Sequence, residues 1–179
     1  MLPLDLFFRS GNTTLLILLA IILLRESRHK PSLMLGAIFS VCLAGIYLFT
    51  ITLEWGWTVL EIPLNILALA SPFVFWLLAK SLFEDTFRLR WSYLWLYLVY
   101  MAAAVVGHYL AFGDMRGVVH WFLRTEVGDR GLWLIPFVIL HSVLIGLALH
   151  AALRDWRSDL VESRRRARVF SVSVGGLVI

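Results

Sequence analysis

The chain has 179 residues, 60% of them hydrophobic and 16% charged, with a formal net charge of +4. Soluble domains carry about 25% charged residues and a smaller apolar share, so a water-soluble globular core is excluded and a polytopic, all-α membrane bundle is expected. The lone cysteine, Cys42, excludes an intrachain disulfide framework and a Cys-based zinc site.

A helix crosses the hydrocarbon core, about 30 Å thick, with about 20 apolar residues. Five stretches satisfy this: residues 6–24, 33–51, 62–83, 92–112 and 132–153. The first has Asp5 and Arg9 four apart, a spacing that lets one helix face pair them. It lacks a basic leader and a small-residue cleavage pattern, so it reads as a retained span and not as a signal peptide. The second ends beside Trp55 and Trp57. The third contains Ser71 and Pro72 at its middle, where proline removes a backbone N–H and favours a kink. Pro136 falls in the first turns of the fifth span, where it disturbs little. Between spans four and five lies the longest loop, residues 113–131. Its segment RGVVHWFLR (116–124) suits a short helix lying in the interface or a lid. From Val169 an apolar run reaches Ile179 after 11 residues. The expectation is a sixth span left incomplete, with a seventh span and a further domain beyond it.

Charge sets the orientation. Arg25, Arg28 and Lys30 follow the first span; Lys80, Arg88 and Arg90 follow the third; Arg154, Arg157, Arg164, Arg165, Arg166 and Arg168 follow the fifth. These are 12 of the 16 basic residues. Short basic loops stay in the cytoplasm, so the N-terminus is expected outside and the location is the bacterial cytoplasmic membrane. Seven of the eight tryptophans fall near span ends, where indole prefers the headgroup zone. Trp76, inside the third span, does not. The run RRRAR (164–168) abuts a span and reads as a topology anchor, with Glu162 and Arg166 spaced for a helical pair; direct DNA contact by this run is the weaker reading.

No P-loop, dinucleotide fingerprint, GxSxG or HExxH motif is present, so no enzyme and no cofactor is expected. The five histidines lack metal-site spacing, and no metal is expected. Polar groups within spans are costly unless satisfied. On the charge-derived orientation Tyr47, Asn65 and His108 fall in the outer half of the bilayer, and His141 closer to the middle. They form either a small outward-opening pocket for a ligand or a proton, or a set of interhelical hydrogen bonds.

Two segments, PFVFWLLAKSLFEDTFRLRW (72–91) and LRDWRSDLVESRRRAR (153–168), together resemble the membrane domain of bacterial AraC-type transcriptional regulators. Trp76, Lys80, Phe83, Glu84, Asp85, Phe87 and Arg90 match the first pattern. Asp159, Leu160, Val161, Glu162, Arg164, Arg165 and Arg166 match the second. The resemblance implies a multi-helix membrane domain that receives a small-molecule or proton signal and can pair as a homodimer. It implies DNA binding only through a C-terminal helix-turn-helix domain, which these 179 residues do not contain. Lys80, Glu84, Asp85, Arg90, Asp159, Glu162, Arg164, Arg165 and Arg166 would then couple the spans to that output. The alternative is a fragment of a small transporter or permease. That reading calls for acids buried among the spans and for internal repeats, and neither is evident along the chain.

Overall fold

The computed structural model describes residues 3–55, 58–84, 86–112, 135–154 and 169; all the regular elements among them are helices, and there is no strand among them. Helix α1 (Pro3–Glu26) has Asp5 in its first turn and Arg25 in its last, each matching the helix dipole. Arg9 Nε donates to Asp5 Oδ1 at 3.0 Å, the pairing expected from their spacing. A 3-10 turn (Ser27–His29) follows. Lys30 is extended (φ −128°, ψ 101°) because the next residue is proline, which disfavours helical backbone before it. Pro31 then opens α2 (Pro31–Trp55), where its missing N–H costs nothing.

Only two residues separate α2 from α3 (Thr58–Phe83), whereas residues 52–61 read as a loop in the sequence. Hydropathy locates the hydrocarbon, and helices of 25 and 26 residues extend about 38 Å at 1.5 Å per residue. They therefore include Thr52 and Glu61, which the sequence reading placed in the loop. Helices α4 (Trp91–Phe112) and α5 (Ile135–Leu153) complete the described bundle, with Pro136 at the second position of α5. Among the described residues three helices are long and apolar enough to cross a membrane: Leu4–Glu26, Pro31–Thr52 and Val59–Phe83. Trp91–Gly107 and Val138–Leu153 are shorter apolar helices. The interfacial segment 116–124, the basic run 164–168 and all of the sixth apolar run except Val169 lie outside the described residues.

α3 is the central helix. It packs closely on α2 and on α5, while α1 covers the other side of α2. The α2–α3 seam uses small residues, which let backbones approach when apolar faces have no water to escape. Cys42 is buried in the core, and Ala37, Ser40 and Ala44 are buried elsewhere along α2. A Cβ at Gly45 would lie 2.8 Å from Leu67 Cδ2, a measure of how near the helices stand. Phe39 stacks on Phe75 with ring centroids 5.3 Å apart. Leu144, Ala148 and Ala151 of α5 close the same core. Backbone approaches between α3 and α4 are sparse, because whole aromatic rings stand between their axes.

Candidate functional site

The α3–α4 seam is built around a proline. Pro72 has no N–H to offer the carbonyl four residues back, that of Ala68. Ser71 Oγ donates to that carbonyl at 2.7 Å. One residue on, the Leu69 carbonyl accepts from Tyr100 Oη of α4 at 2.9 Å, a buried bond. Freed or loosened carbonyls in an apolar helix need such substitutes. Here one comes from α3 itself and one from its neighbour, which ties α4 to the proline turn.

From this point aromatic rings run toward the α3–α4 connection. Phe73 touches Tyr100, Tyr97 and Trp76 at centroid distances of 5.8, 5.4 and 5.4 Å. Trp76 meets Tyr93 edge-on at 5.8 Å, and Tyr93 stacks on Phe87 at 5.8 Å. This explains the one tryptophan that did not fit a headgroup belt: Trp76 is a buried ring of the seam, not an interfacial anchor. Lys80 stands at the end of the column. Its Nζ lies 5.5 Å from the Trp76 ring, 5.8 Å from the Tyr93 ring and 3.4 Å from Glu84 Oε2. Cation–π attraction of this kind amounts to about 0.5–2 kcal/mol, more as water is excluded.

The structure thus brings together four residues of the first matched segment, Trp76, Lys80, Glu84 and Phe87, and adds Tyr93, which the pattern did not include. The Arg90 side chain is exposed, while its carbonyl accepts from Tyr93 N–H at 3.0 Å. Asp85, Asp159, Glu162, Arg164, Arg165 and Arg166 lie outside the described residues.

At the opposite end of α3 sits a polar set. Glu61 and Asn65 are one helical turn apart on the same face, only 5% and 1% exposed. Pairs across the α2–α3 seam fix the register: Gly36 against Leu78, Phe39 against Phe75, Gly45 against Leu67. Continuing that antiparallel register puts Thr52 level with Glu61 and Tyr47 level with Asn65. Thr52 is buried, and its hydroxyl donates to the Phe49 carbonyl at 2.9 Å, leaving its oxygen lone pairs as acceptors. On α4, the pairing of Tyr93 with Trp76 and of Tyr100 with Leu69 carries on to bring position 108 level with Glu61. The side chain of His108 is outside the described residues. His141 is half-buried on α5, less than two turns after Pro136.

Of the four residues expected to share a pocket, Tyr47, Asn65 and position 108 therefore share a height. Glu61 and Thr52 were missed. No local signal marked Glu61, which lies beside the apolar run and is buried only because α3 starts earlier than hydropathy suggests. The expectation that no acid is buried among the helices is corrected by this carboxyl group. Carboxyl, carboxamide and hydroxyl oxygens together suit hydrogen-bond donors or a proton. Among the described residues no group of three His, Cys, Asp or Glu is placed to hold a metal ion.

Compared with family models, curated proteins and solved structures, the chain matches none of them. A functional reading therefore rests on its own residues.

Proposed function

We propose that this chain is the membrane-embedded sensory or anchoring domain of an AraC-type transcriptional regulator in a bacterial cytoplasmic membrane. In this reading it has five complete spans and an incomplete sixth, with the N-terminus outside. A signal from the outer face or the bilayer, a small molecule or a proton, reaches the polar set around Glu61 and Asn65. Helix α3 relays it to Lys80 and Glu84, and the basic loops pass it to a cytoplasmic helix-turn-helix domain that is not among these residues. DNA is contacted only by that domain, and a homodimer fits the two-fold sites such domains read.

The observation that carries the reading is the placement of both groups on one helix. The buried polar pair opens α3, and the Lys80–Glu84–aromatic assembly, which coincides with the matched segment, ends it. Between them Pro72 interrupts the hydrogen-bond ladder, a place where a helix bends at low cost. Buried Glu61 also favours the second reading, a fragment of a small transporter, because intramembrane carboxyls mark ion paths.

The genomic reading frame past Ile179 separates the two. A seventh apolar span followed by paired helix-turn-helix units supports the regulator. A stop codon, or further spans alone, overturns it, and further spans with a repeat of the α2–α3 pattern favour the transporter.

A further inference from the structure

The α3–α4 connection carries two exposed arginines, Arg88 and Arg90. Its ends are fastened: Phe87 N–H donates to the Glu84 carbonyl at 3.0 Å, Tyr93 N–H to the Arg90 carbonyl at 3.0 Å, and the Phe87 ring stacks on Tyr93. With Phe87 turned inward, Arg88, Leu89 and Arg90 are all exposed. Among the described residues neither guanidinium lies within ion-pair distance of a carboxylate, whereas nearby Lys80 is engaged by Glu84 and two rings.

The next turns of α4 divide their aromatic residues by face. Tyr93, Tyr97 and Tyr100 turn toward α3. Trp91 and Trp95, four residues apart, turn away and are 79% and 68% exposed. Below them Leu98 and Val99 continue an apolar outer face, 47% and 65% exposed. Trp95 lies about 6 Å deeper than Trp91 along the helix. Two exposed guanidiniums, then two indoles, then an apolar face follow the order of a phospholipid: phosphate, glycerol ester and acyl chain. Guanidinium forks suit phosphate oxygens, and indole suits the ester zone.

The geometry points to a binding site for an anionic phospholipid on the outer face of α4, in which Arg88 and Arg90 hold the headgroup phosphate and Trp91 and Trp95 flank the glycerol region. The site rests on membrane residence alone and is independent of the sensory reading. It serves to hold α4, which leans on α3 through ring contacts and the Tyr100 bond to the Leu69 carbonyl, at a fixed depth in the leaflet.

The test is tryptophan quenching of the full chain in phosphatidylcholine nanodiscs. Brominated phosphatidylglycerol is compared with brominated phosphatidylcholine as quencher. A preference for the anionic lipid of about fivefold per engaged guanidinium is expected, from the usual strength of a basic residue at an anionic surface. R88Q/R90Q should bring that preference close to unity. W91F/W95F should remove the anion-selective part of the quenching, and R25Q/R28Q should keep most of the preference. An unchanged preference in R88Q/R90Q overturns the site. So does an equal loss in R25Q/R28Q, which would mean diffuse surface charge. Should the glutamine pair fail to insert, R88K/R90K decides. A preference reduced at least twofold supports guanidinium contact, and an unchanged one overturns it.

Discussion

Replacing glycines by alanine, one helix position at a time, probes how closely α2 and α3 pack. At Gly45 the new Cβ would lie 2.8 Å from Leu67 Cδ2, 3.1 Å from Leu67 Cβ and 3.3 Å from Leu67 Cγ. Carbon atoms sit best about 3.5–4.0 Å apart. The Leu67 Cδ2 methyl can swing aside, but Cβ is fixed by the α3 backbone, so the helices must separate by several tenths of an ångström. Overpacking of this kind costs about 1–3 kcal/mol. Alanine returns up to about 1 kcal/mol of helix propensity, which leaves Gly45→Ala destabilised by about 1 kcal/mol or more. Gly11 and Gly146 have nothing within 4 Å of the added Cβ, so alanine there should stabilise by up to about 1 kcal/mol. Gly36 meets only two leucine methyls, Leu23 Cδ1 at 3.3 Å and Leu78 Cδ1 at 4.0 Å, and should be near neutral. Reversible unfolding of the detergent-solubilised chain in sodium dodecyl sulfate, followed by circular dichroism, ranks the four. Gly45→Ala as stable as Gly146→Ala would refute the close seam, and so would an equal loss at Gly36.

Ser71→Ala should cost about 1 kcal/mol by leaving the Ala68 carbonyl without its donor; in a Pro72→Ala background, where residue 72 regains an N–H, the same change should become nearly neutral, and a cost that persists would mean Ser71 acts elsewhere. Tyr100→Phe removes the bond to the Leu69 carbonyl and should cost about 0.6–1.7 kcal/mol in the same unfolding assay, the usual range for such bonds between membrane helices. Lys80→Met keeps the side-chain stem but loses attraction to Trp76 and Tyr93, a loss of about 1 kcal/mol that Lys80→Arg should largely restore; equal stability of the methionine and arginine variants argues against a cation–π role. A phosphatase fusion after Arg168 should be silent and a cytoplasmic reporter at that position active, as the charge count requires; the reverse pattern would invert the orientation.

Several features were legible in the residue order because they depend on near neighbours. The Asp5–Arg9 pair follows from i, i+4 spacing, and the turn at Lys30 follows from the proline after it. The apolar runs locate α1, α2 and α3, since the thickness of a membrane is a length written directly into the chain. Asn65 was identifiable as a polar residue inside an apolar run, and its burial agrees. Glu61 was not, because it sits just outside the run and only the early start of α3 carries it inward.

What the chain determined alone, then, was helix positions, the basic end and the expense of a few polar side chains. What the tertiary structure decided was which side of each helix faces its neighbours. These helices are apolar on nearly every side, so their sequences show little of the one-sided pattern that marks a buried face in soluble proteins. Trp76 and Trp95 illustrate it: both are indoles in apolar helices, on α3 and α4, yet one is buried against Tyr93 and the other is 68% exposed. The difference comes from close small-residue packing between α2 and α3 and from the ring-to-ring contact that sets α4 apart, both of which involve residues distant in the chain.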